Sequence, residues 1–151
     1  MSTIALDFGE KRIGVAAADP LGLTARPLMV MERASLDEDI ARIATIVQQR
    51  RAGKIVLGLP LNMDGTAGPQ ARRVRRFAAR LKRALGLEIV LWDERLTTVE
   101  ADETMSRGAG ESRGRATSPR EREERRRRRD AVAAAVILQD YIEAQRGSVQ
   151  A

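Results

Sequence analysis

Ser2 to Ala18 reads STIALDFGEKRIGVAAA, and this stretch sets the architecture. Ile4 and Leu6 alternate with Thr3, Ala5 and Asp7, the period-two pattern of a half-buried strand. Gly9-Glu10-Lys11 supplies a turn, and Arg12–Ala18 supplies a second strand, so the two are expected to form a hairpin. Ala25–Met31 is a candidate third strand.

Downstream the period changes. Ser35-Leu36-Asp37-Glu38 is a capping box. Ile40, Ile43, Ala44 and Val47 then place one apolar face along a helix that Gly53 is expected to end. Lys54–Leu59 is a short apolar run of the kind that fills a strand covered on both faces. A loop from Pro60 to Pro69, with an Asp64-Gly65 turn, leads to a helix over Gln70–Leu85 that buries Val74, Phe77, Ala78 and Leu81 and stops at Gly86. Leu87–Trp92 is a further strand. Thr97-Thr98-Val99-Glu100 and Ser118-Pro119-Arg120-Glu121 are two more capping boxes, the second opening a helix expected to reach about Ala144. The order β-β-β-α-β-α-β-α-α predicts an α/β fold, a mixed sheet of three antiparallel strands followed by parallel crossover strands, flanked by helices.

Composition narrows the chemistry. The 151 residues contain no Cys and no His, which excludes thiol nucleophiles, serine–histidine triads and most zinc sites. Catalysis is left to carboxylates, Lys, Arg, Ser and Thr, and an oxygen-only ligand set favours Mg2+ or Mn2+. No apolar run approaches the length of a membrane helix and no signal-peptide pattern opens the chain, so a cytoplasmic protein without a membrane partner is expected. The length fits one domain at 1–145, with a mobile basic insertion at about 106–129 and a short tail at 146–151. Net charge is +6, and Arg107–Arg129 alone holds ten Arg and four Glu, so the whole excess sits in that segment.

Three acidic positions break their local pattern. Asp7 ends the first strand, Asp93 and Glu94 follow directly on Leu87–Trp92, and Asp130 stands where a charged helix becomes apolar. The small residues Ala131, Ala133, Ala134 and Ala135 would let that helix approach the sheet closely. Carboxylates from these three places can meet at one end of a mixed sheet, where they repel one another unless a divalent cation is bound. Two such cations about 3.5–4 Å apart can activate water against a phosphodiester. Each acid also has a plainer reading: a strand-end turn residue for Asp7, helix caps for Asp93 and Glu94, an arginine partner for Asp130.

LDFGEKRIGVAAADPLG (Leu6–Gly22), VLGLPLNMDGTAGP (Val56–Pro69), LWDERLTTVEA (Leu91–Ala101) and DAVAAAVILQDYI (Asp130–Ile142) resemble, in order, the four signature blocks of the YqgF family, also called RuvX. The likeness spans roughly residues 3–143. It implies a ribonuclease H-like fold and a metal-dependent nuclease of cytoplasmic, bacterial type, associated with 16S rRNA 5′-end maturation. By motif position, Asp7, Glu94 and Asp130 match the family's catalytic acids and metal ligands, with Asp93 an adjacent candidate ligand. The Arg-rich stretch between Met105 and Asp130 is longer than the family's usual basic linker.

The expected partner is nucleic acid, either structured precursor rRNA within ribosomal precursor particles or branched DNA, met by a monomer or homodimer. Candidate phosphate contacts are Lys11 and Arg12 beside Asp7, Asn62 in the loop after the buried strand, Arg95 beside Glu94, and Arg72 and Arg76 on a helix, Ala71–Arg83, that carries seven basic residues and no acid. The five arginines Arg125–Arg129 read equally as a nucleic-acid contact or as a solvated face paired with Glu121, Glu123 and Glu124. Two rival functions remain: a non-catalytic nucleic-acid-binding module on the same fold, and a fragment of an actin-like ATPase suggested by DFGEKRIGV. The latter enzymes need two such domains.

Overall fold

A computed structural model describes residues 2–96 and 118–150, with side chains as far as 147. Five strands form one sheet: β1 (Ser2–Phe8), β2 (Arg12–Ala18), β3 (Ala25–Glu32), β4 (Ala52–Leu59) and β5 (Glu88–Asp93), in the order β3-β2-β1-β4-β5. β1 is antiparallel to β2, and β2 to β3; β4 is parallel to both β1 and β5. The hairpin and the crossover strands therefore stand as the sequence predicts. Helices α1 (Leu36–Arg50) and α2 (Pro69–Leu85) make the crossovers, and α3 (Pro119–Gln150) follows. The Thr97 capping box and the helix expected from it lie outside the described residues, as does 106–117 of the basic insertion.

Strand alternation divides the core into two layers. Ile4, Leu6, Ile13, Val15, Ile55 and Leu57 face α1 and α2 and pack on Ile43, Val74, Phe77 and Leu81. Ala5, Ala16 and Val56 face the other way and pack on Ala134, Ile137, Leu138 and Tyr141 of α3. The small residues on that second face let α3 lie close to the strands. By alternation Asp7 shares the face of Ala5, so its side chain emerges on the α3 side.

Caps set the helix ends. Ser35 Oγ accepts from Glu38 N at 3.1 Å, and the buried Asp39 accepts from Ala34 N at 3.0 Å and from Arg42 at 2.9 Å. α1 stops at Arg50 rather than at Gly53, because Arg51 itself takes the left-handed conformation (φ 51°) and Ala52 already pairs with Ser2 in the sheet. Gly86 (φ 67°) ends α2 as its sequence predicts. α3 runs past Ala144 to Gln150, and its first turns carry Arg120–Arg129 as continuous helix.

Candidate active site

Asp7 lies opposite Gly14 in the β1–β2 register, and one residue beyond the Leu6–Leu57 pair on its other side comes Gly58. Both glycines are needed by what crosses them. A Cβ on Gly14 would fall 2.0 Å from the Asp130 carbonyl oxygen, so α3 rests its backbone on β2 at that point. A Cβ on Gly58 would fall 2.5 Å from Glu94 Oε1 and 2.7 Å from Ile137 Cδ1. The carboxyl of Glu94 thus occupies the space above Gly58, beside Asp7. A glycine in a strand interior commonly marks such close approach, and this was the one signal in the sequence that could have placed these contacts.

Asp7 and Glu94 are hydrogen-bonded to each other. Burial, then the charge of Asp130, pushes Asp7 up to about 6, partly offset by the bond from Glu94. Burial, then the charges of Asp7 and Asp93, pushes Glu94 up to about 7. The bond between them lowers Asp7 and raises Glu94. Two carboxyl groups this close cannot both ionise without a compensating cation.

Asp130 stands near enough to raise Asp7, but its carboxylate is engaged by Arg12: Arg12 Nε donates to Asp130 Oδ2 at 2.8 Å, and Nη1 to Glu123 Oε1 at 2.9 Å. Among the described residues no group of three acidic side chains is gathered as a ready-made metal centre. The structure brings Asp7 and Glu94 together and holds Asp130 alongside on an arginine. The all-oxygen donor set and the paired carboxyl groups fit a hard divalent cation, which would take the place of a proton.

Asp93 points elsewhere. Its Oδ1 accepts from the Arg95 backbone N at 2.9 Å, capping the short 3-10 turn Glu94–Leu96, and its Oδ2 pairs with Arg95 Nη2 at 2.7 Å. Its pKa is lowered, chiefly by the Arg95 side chain. Arg95 Nη1 continues to the Met63 carbonyl at 3.2 Å, fastening the end of β5 to the loop after β4. Inside that loop Asn62 Nδ2 donates to Thr66 Oγ1 at 3.0 Å, and Thr66 Oγ1 donates to Asp64 Oδ1 at 2.6 Å. Asn62 and Arg95 therefore shape the rim of the site.

The turn after Asp7 is braced from the other face. Gln70 Nε2 donates to the Phe8 carbonyl at 2.9 Å, and Arg33 stacks 4.2 Å above the Phe8 ring, which itself stacks on Phe77 at 4.1 Å. Nothing in the linear pattern pointed to these braces. Lys11 is exposed at the turn, and Arg72 and Arg76 are exposed on α2 with no ion pair among the described residues. Neighbouring Arg73 and Arg80 are taken up by Glu10 and Asp37.

A mixed sheet in the order 3-2-1-4-5, with helices on both faces, is a ribonuclease H-like fold. Thermus thermophilus RuvC, solved in complex with a Holliday junction substrate, superposes with a TM-score of 0.58 at 15% identity, covering 98% of this chain and 97% of that one. The chain belongs to the RuvX family: the family profile described as "RuvX: Holliday junction resolvase" matches residues 1–144. Relatives named "Putative pre-16S rRNA nuclease" include one from Syntrophus aciditrophicus, 46% identical and covering 95% of this chain and 89% of its own length. Another, from Myxococcus xanthus, is 46% identical over 97% of this chain and 90% of its own.

Proposed function

We propose that the protein is a metal-dependent nuclease that hydrolyses phosphodiester bonds in the 5′-end maturation of 16S rRNA, working in the cytoplasm on ribosomal precursor particles. The observation that carries this reading is the placement of the Glu94 carboxyl over Gly58, hydrogen-bonded to Asp7, at the carboxyl ends of β1 and β5. The names borne by relatives 46% identical over nearly the full length support the choice of substrate.

Asp7 provides oxygen ligands from β1 and Glu94 from the turn that directly follows β5, two strands held in one sheet through β4. Asp130 provides the third from α3, and Arg12 keeps its carboxylate at the site. When bound, Mg2+ or Mn2+ supplies the charge that activates water and stabilises the leaving oxygen. Lys11 contacts phosphate beside the site, Arg72 and Arg76 contact phosphates that run past the α2 face, and Asn62 and Arg95 hold the rim against which the strand lies. Asp93 is a positioning residue for Arg95.

A second substrate, branched DNA, is favoured by the family's description as a Holliday junction resolvase. The deciding experiment incubates purified protein and Mn2+ with a precursor 16S 5′ leader and, separately, with a four-way DNA junction. Cleavage of the leader by wild type, lost in Asp7→Asn with RNA binding retained, is the expected result. Cleavage of the junction alone would move the assignment to DNA. No cleavage of either would leave a binding module.

A further inference from the structure

Helix α3 enters the domain with ten charged positions between Arg120 and Arg129, and the tertiary structure sorts them by face. Glu123, Arg127 and Asp130 stand at i, i+4 and i+7, one stripe of an α-helix. All three look toward the sheet. Glu123 and Asp130 accept from Arg12 of β2, and Arg127 pairs with Glu32 at the end of β3 while its Nε lies 3.8 Å from Glu123. Arg12 and Arg127 bind three carboxylates of this network across 95 to 118 residues of sequence, and Arg126 Nη1 lies 4.0 Å from Glu123 at its margin.

A different stripe is left over. Arg122, Arg125 and Arg129 stand at i, i+3 and i+7, are exposed, and have no ion pair among the described residues. The acids that sequence spacing offers to this part of the helix do not neutralise it. Of the i,i+4 spacings Glu121–Arg125, Glu123–Arg127 and Glu124–Arg128, only the second forms an ion pair among the described residues. Glu124 instead lies 4.0 Å from Arg120, and Glu121 has no ion pair among the described residues.

We propose that α3 divides its arginines between two tasks. Arg127 belongs to the network that fixes Asp130 over the sheet, and Arg122, Arg125 and Arg129 form a track for the sugar-phosphate backbone of the nucleic acid that the site cleaves. The inference rests on the nuclease reading and adds to it the face of α3 that meets the substrate. The three guanidinium groups extend along roughly 10 Å of helix. At about 3.4 Å of axial advance per phosphate on one strand, that length matches about three phosphates. A stripe of three exposed arginines fits a polyanion and no apolar partner, and Arg is suited to bidentate phosphate contact.

The test measures the salt dependence of binding for wild type, for the triple variant R122Q/R125Q/R129Q and for R127Q. The probes are a labelled stem–loop RNA and a labelled four-way DNA junction, titrated between low and moderate KCl with EDTA present. The triple variant should lose about 0.7–0.9 of log–log slope for each phosphate contact removed, with its melting midpoint unchanged. R127Q should keep the wild-type slope and melt earlier. An unchanged slope in the triple variant, or an equal loss in R127Q, overturns the division by face. If wild type binds neither probe in a salt-dependent way, the nuclease reading falls and this inference with it. Which probe shows the larger loss tells whether the track follows RNA or DNA.

Discussion

Arg12 and Asp130 are 118 residues apart in sequence, yet Arg12 Nε donates to Asp130 Oδ2 at 2.8 Å and ties the first residue of β2 to the carboxylate delivered by α3. The same guanidinium reaches Glu123, so a single side chain bridges two acids seven residues apart on α3. Lysine offers a point charge and cannot span both. Arg12→Gln is expected to destabilise the metal-free protein by about 1–2 kcal/mol, between the worth of an exposed pair and that of a buried one. Arg12→Lys should recover part of this. Urea unfolding in EDTA measures it, and an unshifted midpoint in Arg12→Gln would show that the bridge contributes nothing.

Gly14 carries the backbone of Asp130. A methyl there would meet the carbonyl carbon of Asp130 at 2.6 Å as well as its oxygen, and neither is the flexible end of a side chain. Gly14→Ala must therefore lift α3 from β2. The expected loss is about 3 kcal/mol, with cleavage falling further than stability because Asp130 moves with the helix. Gly22 is the control: it has φ +70° but nothing within 4 Å, so Gly22→Ala costs only its backbone strain, about 1–2 kcal/mol. Equal effects at the two positions would contradict the close crossing.

The Asp7–Glu94 pair makes stability depend on pH. Both pKa values are raised in the folded protein, from 3.8 to about 6 and from 4.5 to about 7. The folded state therefore binds more protons than the unfolded chain between these limits, and stability falls as pH rises. The contribution is full below about pH 4 and is lost as pH passes through about 6 and 7. Melting temperature against pH in EDTA should fall more steeply for wild type than for the Asp7→Asn/Glu94→Gln variant. Parallel curves would count against the raised pKa values. Mn2+ should flatten the wild-type curve, because the cation replaces the proton.

Adjacent acids should behave differently. Glu94→Gln removes the carboxylate above Gly58, and is expected to abolish cleavage and weaken Mn2+ binding by at least tenfold in calorimetry. Asp93→Asn releases Arg95 from its pairing and loosens the Met63 loop, so it should change substrate affinity while leaving Mn2+ binding within about threefold of wild type. If Asp93→Asn were the variant that lost the metal, the ligand would be Asp93.

Much of this was legible in the sequence for a simple reason: periodicity, caps and turns are local. Alternation in Ser2–Asp7 placed Asp7 on the opposite face from Ile4 and Leu6, and the order of elements gave the mixed sheet. Four family blocks, each a short local pattern, marked Asp7, Glu94 and Asp130. What the sequence by itself left open was decided by packing between distant segments. Asp93 and Glu94 are equivalent as neighbours on a string, and only the turn at the end of β5 sends one to Arg95 and the other to Asp7. The arginines of α3 are equivalent as a run, and only the sheet beneath, with Arg12 and Glu32 at its edge, pairs Arg127 and leaves Arg122, Arg125 and Arg129 to solvent. A charge acquires its role from what lies within a few ångströms of it, and across 118 residues of chain that neighbour is chosen by the fold.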